Sequence, residues 1–175
     1  MTEDEFWGLI DGIRETGTTD AEEVADRAAE VLAGRSREEI TGVQAVIDGL
    51  LARSRTTPLR AAAHLIGGGR SDDGFDHFRG WLITQGRVVF ATVVDDPDKL
   101  AALPAVQRAR ADGAPLECED ALAIASTAHL AAFGTDLPLG SLPAVPRPRP
   151  DTEGDFDDPA ELRRHCPRLA ALYLT

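Results

Sequence analysis

An all-α fold, compact and in one domain, is predicted for this chain by two observations. Three capping boxes, Thr2-x-x-Glu5, Thr19-x-x-Glu22 and Ser36-x-x-Glu39, stand in its amino-terminal third. In each, a hydroxyl and a carboxylate can satisfy the free amides of a first helical turn. The second observation is that Arg87 to Val94, a run rich in β-branched residues, has no other strand-like segment to pair with. An isolated strand leaves its ladder groups unpaired, so the run is assigned to helix.

The elements follow in order. Behind the capping boxes, apolar residues recur at helical spacing: Phe6, Leu9, Ile10 and Ile13; then Val24, Ala28, Val31 and Leu32; then Ile40, Val43, Ile47, Leu50 and Leu51. Each set predicts a helix with one core face. Gly17 and Gly34 supply stops, and Thr57-Pro58 opens a fourth, shorter helix ending at Ile66. The central helix is predicted to take Ser71 as its cap, with Asp72 and Asp73 complementing the positive end of the dipole and Phe75, Phe78 and Leu82 as its buried stripe. Beyond Val94, Asp96-Pro97 caps a short turn of helix, Glu117 to Phe133 forms another helix, and Gly134 ends it. Leu137 to Pro150 carries five of the eleven prolines, which predicts an extended strap, followed by the acidic run Asp151 to Asp158. Asp158-Pro159 opens a last helical stretch that docks Leu162, Leu169, Leu172 and Tyr173 on the core.

Composition bounds the function. The 175 residues are 43% hydrophobic, enough for one sizeable core, without a transmembrane run or secretory segment, so a soluble cytoplasmic protein is expected. Thirty acids against 18 basic residues give a formal charge of −12. That charge disfavours nucleic acid and anionic membranes as ligands. Cys118 and Cys166 lack the spacing of a zinc site or a redox pair, and no cofactor is implied. Alanine and arginine richness with a single lysine points to a bacterial source.

The chemistry-bearing residues gather in Gly67-Gly68-Gly69-Arg70-Ser71-Asp72-Asp73-Gly74-Phe75-Asp76-His77-Phe78-Arg79-Gly80-Trp81-Leu82-Ile83-Thr84-Gln85-Gly86. With the opening Phe6-Trp7-x-Leu9-Ile10, then Asp96-Pro97-Asp98 and the closing Pro167-Arg168-Leu169, this run resembles the bacterial family DUF4240 over nearly the whole chain. The resemblance implies no activity. Relatives tend to carry tyrosine where His77 stands, so histidine chemistry there would belong to this protein alone.

On a helix, Asp72 and Asp76 lie one turn apart, as do Asp73 and His77, which could build an acid-base or metal site. One helix offers two ligands per face, however, and a metal needs three or four. Glu117, Glu119 or Asp120 would have to complete the set from elsewhere. The structural reading makes Asp72 and Asp73 first-turn acids, pairs Asp76 with Arg79 or Arg70, and leaves His77 as a partly exposed polar residue. The glycine run lacks the Lys-Ser/Thr ending of a phosphate loop, and its neighbouring aspartates would repel a phosphate. Trp7 and Trp81 read as core aromatics, His64 and His129 as packed helix residues, and Gly154 misses the position an EF-hand loop requires. Two functions are compatible with this set. The first is a noncatalytic binding or regulatory protein, accessory or immunity-type, whose acidic surface meets a basic patch on a protein partner. Trp7, Arg70, Asp72, Asp73, Asp76, His77, Arg79 and Trp81 are then the candidate binding residues. The second is a small hydrolase or metal-dependent enzyme built on Asp72, Asp73, Asp76, His77 and Arg79.

Overall fold

The computed structural model describes residues 1–67, 71–138 and 156–174. Ten α-helices and one 3-10 helix are the regular elements of the described residues, which contain no strand. They are α1 (Glu3–Glu15), α2 (Ala21–Ala33), α3 (Arg37–Arg53), α4 (Thr57–Ile66), α5 (Asp72–Thr84), α6 (Arg87–Asp95), the 3-10 helix Pro97–Ala102, α7 (Pro104–Asp112), α8 (Asp120–Phe133), α9 (Pro159–His165) and α10 (Pro167–Tyr173). The β-branched run is helical, as expected from its missing partner. No helix among the described residues is long and apolar enough to cross a membrane.

Two of the three capping boxes form as predicted. Thr2 and Glu5, and Ser36 and Glu39, exchange reciprocal bonds at the starts of α1 and α3. The third does not. Asp20 caps α2, its Oδ1 accepting from the Glu23 amide at 3.0 Å, so the helix begins one residue later than the Thr19 box requires. Aspartate caps at least as well as threonine, and the later start keeps Glu22 and Glu23 in the first turn.

The orientation of α2 also departs from expectation, because Val31 is 48% exposed. The buried face is Val24, Ala25, Ala28, Ala29 and Leu32, and it lies against α8, whose buried face includes Ala121, Ala125 and Ala128. Alanines on both helices allow close approach, and that packing turns Val31 outward.

Three further boundaries differ. Pro104 at its first position and a left-handed Gly113 at its end bound α7, an element that the sequence reading passed over. Its apolar stripe is thin, with only Val106 and Ala109 buried. The helix predicted from Glu117 begins instead at Asp120, because the preceding loop is pinned when the Cys118 amide donates to the His77 carbonyl oxygen at 3.0 Å. The last helical stretch is broken at Cys166 by Pro167. Of the proposed strap and acidic run, residues 139–155 lie outside the described residues.

The buried side chains form one continuous cluster drawn from every α-helix. At its centre α5 touches α2, α3, α4, α6 and α8. Gly80 permits the approach of the loop before α8, since a Cβ there would stand 2.2 Å from the Cys118 carbonyl oxygen.

Candidate functional site

Ser71 caps α5 by accepting from the Gly74 amide at 3.0 Å, which fixes where the following charged residues point. Asp72 is largely exposed and meets Arg60 of α4 at 2.7 Å. Asp73 is exposed, and His77, one turn on, is half-buried. Asp76 accepts from Arg79 across one turn of the same helix.

Arg79 is the least expected member. Its side chain is 2% exposed, with the guanidinium 4.6 Å from the centre of the Phe75 ring. Besides Asp76, it donates to the Leu51 carbonyl oxygen in the last turn of α3. A cation at a helix carboxyl end opposes the dipole, and here it adds a donor to a carbonyl that the Ser54 hydroxyl also reaches at 3.3 Å. Arg79 therefore ties α5 to α3.

The two tryptophans sit in separate parts of the core. Trp7 packs at a tilt against Phe90, ring centres 5.3 Å apart, and donates from Nε1 to Glu3 at 3.2 Å, while Trp81 packs at a tilt against Phe78 at 5.5 Å. Arg70 lies outside the described residues. The structure thus gathers Asp72, Asp73, Asp76 and His77 on the first turns of α5, and gives Trp7, Arg79 and Trp81 positions in the interior.

Although the loop before α8 runs beside His77, no three His, Cys, Asp or Glu side chains among the described residues are placed to share a metal. A cleft of about 470 Å³ is lined by Ile66, Gly67, Arg110, Gly113, Pro115 and Tyr173, and another of about 350 Å³ by Met1, Glu5, Leu9, Val31, Arg35 and Glu39. None of the candidate side chains among the described residues lines either. Burial pushes the Cys118 thiol up to about 11 and the Cys166 thiol up to about 12. Both are poor nucleophiles at neutral pH.

A grouping that sequence reading missed joins α3 to α8. Arg37 Nη1 lies 2.8 Å from His129 Nε2, and its guanidinium carbon lies 4.2 Å from the centre of the Phe133 ring. His129 was expected to be packed, and it is wholly buried. Its arginine partner is 92 positions away, and no local pattern signals such a pair.

The fold and site together describe an all-helical protein with an acidic surface helix start and, among the described residues, no three-ligand metal cluster. Residues 1–130 match the family described as protein of unknown function (DUF4240), and the chain belongs to that family. Of the stretches that carried the resemblance, Pro167-Arg168-Leu169 lies beyond the match, yet its function in the fold is plain. Asp98 accepts from the amides of Arg168 and Leu169 at 3.2 and 2.9 Å, so two distant motifs form one cap. No curated protein and no solved structure matches the chain.

Proposed function

We propose that the protein is a noncatalytic binding or regulatory accessory protein of the cytoplasm that engages a basic patch on a protein partner through the acidic start of α5. The observation that carries this reading is the division of labour on that helix. Asp72 and Asp73 face solvent, whereas Arg79, one member of the alternative enzymatic set, is buried and committed to Leu51 and Asp76. A formal charge of −12 steers a cationic partner toward the molecule. Arg60 pairs with Asp72 through a contact that is exposed on the aspartate side, where a competing cation can approach.

The test begins with chemical cross-linking in the producing cells, followed by titration of the purified partner. Asp72→Lys with Asp73→Lys should weaken binding more than tenfold, and rising salt should weaken the wild-type complex. Binding indifferent to both changes would overturn the proposal. So would a hydrolytic turnover of the purified protein that disappears in His77→Ala or Asp76→Asn.

A further inference from the structure

Where α3 begins and α8 ends, a cation is held in place by groups that bring no negative charge. The Nδ1 of His129 lies 2.7 Å from the Thr135 carbonyl oxygen, while its Nε2 faces Arg37. A carbonyl only accepts and a guanidinium only donates, so the ring is neutral, with its proton on Nδ1. Phe133 covers one face of the guanidinium through a cation–π contact.

Arg35 and Arg53 each pair with a glutamate, at 3.6 and 2.8 Å. Arg37, in a chain with 30 acids, meets no carboxylate among the described residues. Beside it, Phe133 and Leu130 lie one helical turn apart and are 37% and 52% exposed. They are two of only four large apolar side chains exposed among the described residues, and they are neighbours on one helix.

We propose that Arg37, Phe133 and Leu130 form a docking face for an amphipathic helix of a partner protein that presents one carboxylate beside an aliphatic side chain. A carboxylate on that helix would supply the counter-charge that no described residue gives Arg37, using the donors that His129 leaves open. An aliphatic side chain one turn away would cover Leu130. Fixing the guanidinium in advance between an imidazole and an aromatic ring lowers the ordering cost of binding. Arginine and aromatic residues held in this way are the types that dominate interface energetics. A polyanion such as nucleic acid is the weaker fit, since one arginine cannot offset the repulsion of the whole acidic molecule. This face is separate from the acids of α5, and its assignment stands whether or not those acids bind.

A double-mutant cycle tests it. A helical peptide bearing glutamate and leucine one turn apart is titrated against the full chain, beside a twin with glutamine for glutamate. Wild type should bind the glutamate peptide at least tenfold more tightly, and Arg37→Gln should erase that preference. Leu130→Ser should weaken both peptides severalfold. Arg37 and Leu130 are exposed, and circular dichroism melts will establish that both variants fold. No binding, equal binding of the twins by wild type, or a preference retained in Arg37→Gln would overturn the proposal. A wild-type dimer dissolved by Arg37→Gln would also overturn it, by assigning the face to a second copy of the chain.

Discussion

The helices up to α5 and those after it close their amino ends in different ways. Each of α1 to α5 is capped by the side chain of the residue just before it, namely Thr2, Asp20, Ser36, Thr56 and Ser71. After α5 only α9 has a comparable cap on an α-helix, from Asp158, while α6, α7, α8 and α10 have none of their own. Two of these are closed from a distance. Asp11 of α1 accepts from the Arg87 amide at 3.0 Å to close α6, and Asp98 closes α10. At the same junction Arg14 donates to the Thr84 carbonyl oxygen at 2.8 Å, so α1 holds the end of α5 as well as the start of α6. A local cap acts as soon as its own turn forms, whereas a distant cap exists only once the core has assembled. Helices of the second kind are conditional on tertiary structure.

The largest effect should come from the helix on which both regions meet. Phe78 is wholly buried on α5, and Phe78→Ala should cost about 3–5 kcal/mol by denaturant unfolding. A loss below about 1 kcal/mol would place that face outside the core.

A distant cap ranks next. Asp98→Ala leaves two amides of α10 without their acceptor, which should cost about 1–3 kcal/mol. Hydrogen exchange should accelerate at Arg168 and Leu169 and stay unchanged at Glu5 and Glu39. Uniform acceleration would erase the distinction between the two kinds of cap.

Removing a local cap should do less. Ser36→Ala should cost about 1 kcal/mol in the protein. It should also lower the helicity of an isolated peptide spanning residues 36–53, read by circular dichroism. A peptide spanning residues 166–174 should be unstructured with or without changes, because its cap is Asp98.

The acid limb of stability tests the same boxes. A hydrogen bond from Arg53 holds Glu3 below its ordinary carboxyl value of 4.5. The Thr2 amide does the same for Glu5, and the Ser36 hydroxyl for Glu39. Groups depressed by folding stabilise the folded state fully above the unfolded value and lose that contribution as pH falls through the folded one. Stability should therefore drop as acid is added below 4.5, and Ser36→Ala should flatten part of that slope. An unchanged slope would remove Glu39 from the account.

The smallest effect concerns the thiols, where nothing is disturbed. Cys118 and Cys166 should react with an aromatic disulfide reagent at pH 8 far more slowly in the native protein than in denaturant, since burial disfavours the thiolate. Rapid labelling of native Cys166 would mean that α9 and α10 open readily, which the conditional nature of α10 makes the more informative failure.

How much of this was legible in the sequence varied from residue to residue. Ser71 and the two acids after it located the start of α5, because the cap and its amides lie within one turn. Val31 was assigned to the core by helical spacing alone, and the alanine-to-alanine contact with α8 rotated it outward. The pairing of Asp76 with Arg79 was anticipated, since the two are three positions apart, but the burial of Arg79 was not. Its acceptor at Leu51 is 28 positions away.

By itself the sequence determined where helices begin and stop, wherever the signal was a cap, a proline or a glycine acting within a turn. It also determined that the fold is all-α, because the β-branched run of α6 had nothing to pair with. Tertiary structure alone decided which face of α2 is buried, that Asp98 and Pro167-Arg168-Leu169 form one cap, and that Arg37 meets His129 across 92 positions. Capping and periodicity are energies of neighbouring residues, so a linear reading captures them. Burial, orphan carbonyls and distant hydrogen-bond partners depend on which surfaces meet, and that is settled only when the whole chain packs.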